Sequence, residues 1–142
     1  MPNQDKKLIT PRVRVIQKLY GSSMNPDEII EYPKSQYKKF IKDVVQGTIE
    51  RKELIEETIK NHLSDDLSLN RTDKLLKLII FAAVFELMFK HNSPRKVIIS
   101  EYIKTSEYFL EQAQTKYLNA ILDKISKKIR ENNEQWQDAW IK

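Results

Sequence analysis

Cysteine is absent from the 142-residue chain. That excludes thiol nucleophiles, Cys-ligated zinc and iron–sulfur clusters, and it is compatible with a reducing compartment. Imidazole can come only from His62 and His91. Neither has a Glu three residues before it, so the Glu-x-x-His of carboxylate di-iron bundles is missing. Glycine occurs twice and proline five times, which starves hairpin turns and glycine-rich phosphate loops. No HExxH, GxSxG, GxxxxGK[ST] or EF-hand loop is present. The longest greasy run, Leu78 to Phe89, holds 12 residues and contains Glu86. A bilayer span needs about 20 apolar residues, so the run reads as a buried core helix. Met1 to Lys7 is polar and carries Asp5, unlike a signal peptide. These absences point to a soluble, cytoplasmic protein that is not an enzyme, with no metal and no cofactor.

What remains is helix and its punctuation. No segment alternates with period two for long, so no strand is expected. Hydrophobic residues make up 40% and charged residues 32%, as suits a folded domain. Thr10 before Pro11 is a cap followed by a first-position proline. That helix is expected to run to about Tyr20 and to stop at Gly21-Ser22-Ser23. Asn25-Pro26 repeats the signal for a short turn through Ile30. Ser35 can cap a helix whose Tyr37, Phe40, Ile41, Val44 and Val45 fall at helical spacing. Gly47 is either a weak break or a tight helix contact. Ile55, Ile59 and Leu63 mark the next helix, ending near Ser64-Asp65-Asp66.

In the second half, Thr72 or Asn70 opens a helix over about Asp73 to Lys90 that is apolar almost all round, as a central helix should be. Ser93-Pro94 starts another, with Val97, Ile98, Tyr102 and Ile103. Thr115 can cap the last, in which Leu118, Ile121, Leu122, Ile125 and Ile129 repeat at helical spacing. The expected fold is all-α, with about seven helices in two side-by-side three-helix-like subdomains. One domain fills 1–142, with subdomains 8–66 and 70–131 and a tail over 132–142. In that tail Trp136 and Trp140 are either part of a frayed or docked end or an interaction peptide.

Charge gives one positive signal. Lys and Arg total 25 against 20 Asp and Glu, a net +5. Lys6, Lys7, Arg12, Arg14 and Lys18 against Asp5 place +4 of it in residues 1–20, next to Tyr20. Cations beside an aromatic suit single-stranded nucleic acid, where cations track phosphates and rings stack on bases. A plain lysine-rich composition would give the same excess. Lys127, Lys128 and Arg130 can complement a helix C-terminus. Glu53, Glu56 and Glu57 with Lys60 read as a solvated face. Glu86, inside the apolar helix, needs a hydrogen bond or a cation, since burying it alone is costly; it is either satisfied internally or aimed at a partner.

Four blocks then resemble one family in order and spacing. Arg12-Val-Arg-Val-Ile-Gln-Lys-Leu-Tyr20 resembles the opening helix of the NusB family of transcription antitermination factors. Ala83-Val-Phe-Glu-Leu87 resembles its Tyr-Glu-Leu helix, and Ser93-Pro-Arg-Lys-Val-Ile-Ile-Ser-Glu101 its Pro-x-x-Val-x-Ile-Asn-Glu. Lys116-Tyr-Leu-Asn-Ala-Ile-Leu-Asp123 resembles Lys-Phe-Val-Asn-Gly-Val-Leu-Asp. The resemblance implies a noncatalytic factor that binds the boxA element of ribosomal RNA leaders together with NusE, a ribosomal small-subunit protein. The pair joins other Nus factors on RNA polymerase.

Carried over by position, the basic N-terminal segment with Arg12, Tyr20, Lys116, Tyr117 and Asn119 forms the RNA surface. Leu76, Phe81 and the segment near Glu101 form the partner surface. The chain departs from the pattern at Leu8-Ile9-Thr10, where one branch carries arginines, and at Phe81, where Arg is usual. It departs again at Ser100, Ala120 and Gln112-Ala113-Gln114. Each lost arginine removes a phosphate contact, and Phe81 either extends an apolar contact or fills core. The competing reading is a helical protein-interaction adaptor, or a homodimer, with weak or no RNA binding. Convergence of the basic residues on one face with Tyr117 favours the first reading, and scatter favours the second.

Overall fold

The computed structural model describes residues 9–63 and 68–141, with the backbone alone at Asn70 and over 132–141. Six α-helices account for nearly all of it: α1 (Pro11–Met24), α2 (Lys38–Glu50), α3 (Lys52–Leu63), α4 (Lys74–Phe89), α5 (Arg95–Phe109) and α6 (Gln112–Ile141). A 3-10 turn over Leu69–Arg71 precedes α4. The described residues contain no strand. The count is one fewer than expected because Asn25-Pro26 makes only a turn, closed by the Glu28 amide on the Asn25 carbonyl at 3.1 Å.

Helix α4 is the axle. It packs against α1, α2, α3, α5 and α6, and every residue from Ile79 to Leu87 is buried. An amphipathic helix hides one stripe, whereas this one is apolar on all sides and needs neighbours all round. One continuous core results, joining Val15, Ile16 and Leu19 of α1 to Leu118, Leu122 and Ile125 of α6. Helix α1 also reaches α5, and α3 reaches α6, so contacts tie the two halves of the chain together beyond α4.

Two side-chain caps are present, Thr10 as expected and Asp73 in place of Thr72 or Asn70. Thr10 Oγ1 accepts from the Val13 amide at 3.2 Å, and Asp73 Oδ2 accepts from the Leu76 amide at 3.4 Å. Other boundaries move. Gly21-Ser22-Ser23 stays helical, because Ser23 Oγ donates back to the Tyr20 carbonyl at 2.7 Å and the helix closes later, at Asn25. Ser35 is not a cap; its carbonyl receives the Lys38 amide in a turn before α2. Pro94, not Ser93, holds the N-cap position of α5, with ψ 146°. Thr115 lies inside α6, its hydroxyl 3.1 Å from that of Ser106.

Gly47 is a tight contact rather than a break, since an added Cβ would lie 2.2 Å from Phe85 Cζ. The last helix continues through 132–141 instead of ending near Glu131. The side chains of Trp136 and Trp140 lie outside the described residues, as do Ser64-Asp65-Asp66. Arg130 therefore does not serve its own helix end. Its Nε and Nη2 donate to the carbonyls of Leu87 and Lys90 at 3.0 and 3.2 Å, closing the C-terminus of α4. Lys60 pairs with Glu56 at 3.3 Å on the solvated face of α3.

Candidate nucleic-acid interface

Position in the fold sorts the candidate residues by what they can touch. Arg12, in the first turn of α1, points inward. Its Nε and Nη2 donate to the Glu86 carboxylate at 2.9 and 2.7 Å. The guanidinium carbon lies 4.8 Å from the Phe40 ring centre and 5.5 Å from that of Tyr102. Tyr102 also donates its hydroxyl to Glu86. Glu86 is fully buried, so the carboxylate is satisfied from inside the molecule. Burial works against the Arg12 charge, but hydrogen bonding and attraction from Glu86 outweigh it, and the guanidinium stays above its ordinary pKa. Arg12 is thus a largely buried anchor whose charge is matched by Glu86.

The Tyr102 hydroxyl is held well above its ordinary value of 10.0, first by burial and then by the neighbouring Glu86 charge. The folded state therefore keeps a proton that the unfolded chain releases above about pH 10, so stability falls as pH rises past that point. Tyr102→Phe is expected to flatten this alkaline decline. Urea unfolding midpoints of both proteins at neutral and alkaline pH check it; parallel curves would contradict it.

Two exposed tyrosines flank the start of α4. Tyr20, at the α1 side, lies beneath Lys74, whose Nζ is 5.9 Å from the ring centre. Lys74 Nζ also contacts Met24 Sδ at 3.5 Å. From the α6 side, Tyr117 shares a shallow depression with Arg71, Asp73 and Leu76. Arg71 and Lys74 thereby join the aromatic pair, although neither stood out in the sequence. The signal was there in principle: both cations bracket the Asp73 cap between the halves. Asp73 is the one carboxylate among them, and it is engaged with the Leu76 amide.

The other candidates lie elsewhere. Arg14 and Lys18 face a groove against the segment leading into α2, about half a turn around α1 from Tyr20. Asn119 lines a groove between α5 and α6 with Arg95, Lys104 and Asp123, away from Tyr117. Lys116 is exposed. Lys6 and Lys7 lie outside the described residues. On the expected partner surface, Leu76 and Phe81 are 5% and 4% exposed, so Phe81 fills core. Glu101 is half-buried, with Lys104 at 3.9 Å. The described basic residues are thus spread over several faces. Among the described residues no group of three His, Asp or Glu side chains is placed to hold a metal ion, and no helix is long and apolar enough to cross a membrane.

Comparison with known proteins agrees with this architecture. The NusB family model matches residues 10–127. The transcription antitermination protein NusB of Mesorhizobium japonicum is 35% identical over 92 residues, covering 65% of this chain and 59% of that protein. Its counterpart in Sinorhizobium fredii is 33% identical over 91 residues, covering 64% and 57%. The matched stretches thus span less than two thirds of these relatives' own length. The solved structure of T. maritima NusB superposes with a TM-score of 0.70 at 26% identity, covering 82% of this chain and 89% of that one. A family match over most of the chain, joined to an all-helical fold shared with a solved member, establishes that the chain belongs to the NusB family.

Proposed function

We propose that this protein is a noncatalytic, cytoplasmic RNA-binding factor in transcription antitermination. It binds boxA-type ribosomal RNA leader sequence together with NusE, and reaches RNA polymerase and other Nus factors through that complex. Residues 1–142 act as one unit, with subdomains over 8–66 and 70–131. The observation that carries the reading is the pair of exposed rings, Tyr20 and Tyr117, set around Lys74 and Arg71 at the start of α4. Rings stack on unpaired bases while nearby cations neutralise phosphates. Lys116 lies one residue from Tyr117, and Lys6 and Lys7 precede α1 on the same chain segment as Arg12.

A titration of boxA-like single-stranded RNA, with and without NusE and at two salt concentrations, tests the reading. Binding should weaken with salt and strengthen with NusE. Tyr20→Ala and Tyr117→Ala should each weaken it by about 1–3 kcal/mol, the range for one base stacked on an aromatic ring. The second reading, an adaptor with little RNA affinity, draws on the commitment of Arg12 to Glu86 and on the spread of the basic side chains. NusE binding without RNA binding would establish that alternative.

A further inference from the structure

The groove faced by Arg14 and Lys18 has a chemistry of its own. Its far wall is the segment before α2, which contributes Tyr32 and Lys34, together with Lys38 at the first position of α2. It encloses about 420 Å³, and no carboxylate lines it. Four cations therefore face one another across it: Arg14 and Lys18 from α1, Lys34 and Lys38 opposite. Among the described residues none of the four is ion-paired. Arg14 donates only to the neutral Gln17 amide oxygen, at 3.2 Å. The wall is fixed, because Gln46 Nε2 donates to the Tyr32 hydroxyl at 2.8 Å and ties that segment to α2.

Such a grouping is unfavourable for the fold alone. Like charges four residues apart on a helix repel, and Lys34 and Lys38 add to that field across the groove. A polyanion relieves the repulsion. The cations also form a row: Arg14 and Lys18 lie about 6 Å apart along α1, with two lysines opposite. A row suits successive phosphates of a chain better than one isolated anion. Glu28 and Glu31 line the adjoining surface beyond Lys18, which ends the positive stretch and limits it to a few phosphates.

We propose that this groove is a second RNA contact, reading only the phosphodiester backbone, with Lys34 and Lys38 as its outer wall. The inference rests on the RNA-binding reading above and extends it. The groove lies on the other side of α1 from Tyr20, so it serves nucleotides that flank the stacked segment.

The test compares a short boxA-like RNA with the same RNA lengthened by uridines at either end. Both are titrated against the wild-type protein and a Lys34→Gln, Lys38→Gln variant across a salt series, with NusE present. Both lysines are exposed, and unchanged thermal unfolding confirms that the variant folds. One lengthened RNA should bind the wild type several-fold more tightly than the short one. The variant should lose that gain, with a log–log salt slope shallower by about 1.4, from two lost contacts at roughly 0.7 each on a single strand. Its affinity for the short RNA should hold. Equal binding of lengthened RNA by both proteins overturns the inference and leaves the RNA reading standing, as does a variant that loses NusE affinity instead. Absence of any RNA binding by the wild type overturns both.

Discussion

Arg12→Ala is expected to destabilise the protein by about 3–5 kcal/mol, the cost of leaving one partner of a buried ion pair uncompensated. Glu86, fully buried in the intact protein, would keep only the Tyr102 hydroxyl as a side-chain partner. Natural domains are stable by about 5–15 kcal/mol, so the loss is a large share of the whole. For a chain of this length it corresponds to a fall of roughly 10–20 °C in Tm. Arg12→Lys should fall between, since an ammonium keeps the charge but cannot make the two-pronged contact.

Replacing both partners, as Arg12→Met with Glu86→Leu, should recover part of the loss, because two apolar side chains leave no orphaned charge, while the buried Tyr102 hydroxyl loses its acceptor. Thermal unfolding of the wild type, the single variants Arg12→Met and Glu86→Leu, and the double variant gives the coupling directly. A coupling near zero would mean that the pair contributes little and that α1 is held by its apolar face alone. The result bears on RNA binding too. Weakened binding in an Arg12 variant would report a loosened α1, so Tyr20, Tyr117 and Lys74 are the more informative positions to change.

The second large effect is a reversal of sign. In the wild type, Gly47→Ala would drive a methyl group to 2.2 Å from Phe85 Cζ and 2.4 Å from Cε1. Phe85 is 6% exposed and packs on Phe89 with ring centres 5.2 Å apart, so the ring has little room to retreat. Overpacking of this kind costs about 1–3 kcal/mol. Alanine, however, is intrinsically better than glycine inside a helix by about 1 kcal/mol. With Phe85→Ala the obstacle is gone, and Gly47→Ala should then stabilise the already weakened protein. Urea unfolding of the two single variants and the double variant checks this. A destabilising Gly47→Ala in both backgrounds would show that some feature other than the Phe85 ring sets the cost.

Legibility in the sequence followed the range of the interaction concerned. Thr10 and the apolar spacing of α3, α4 and α6 act within one or two turns and can be read from neighbouring residues, whereas the cap of α4 fell on Asp73 and not on Thr72 or Asn70. Gly21-Ser22-Ser23 looked like a stop because serine and glycine favour turns. A hydroxyl bonded back to the preceding turn can keep serine helical, and only the tertiary setting decides between the two. Arg12 was harder still. Its partner is 74 positions away, so nothing local separates a buried anchor from a phosphate contact. Glu86 carried the opposite clue: a carboxylate in an apolar helix demands a donor, though not which one. The aromatic pair was half visible. Tyr20 and Tyr117 stood out, but Lys74 and Arg71 became their companions only when α1 and α6 closed on the same end of α4.

The central position of α4 has a consequence for how the molecule comes apart. Its apolar circumference is shared among five neighbours from both ends of the chain. No partial structure made from one half can keep that surface dry. Loss of either half should therefore bring down the other in a single cooperative transition. The amides of Ile79 to Leu87 should be the slowest to exchange with deuterium, opening only in molecules that have unfolded completely. A polypeptide severed between α3 and α4 would leave two pieces that fold when mixed and not when kept apart.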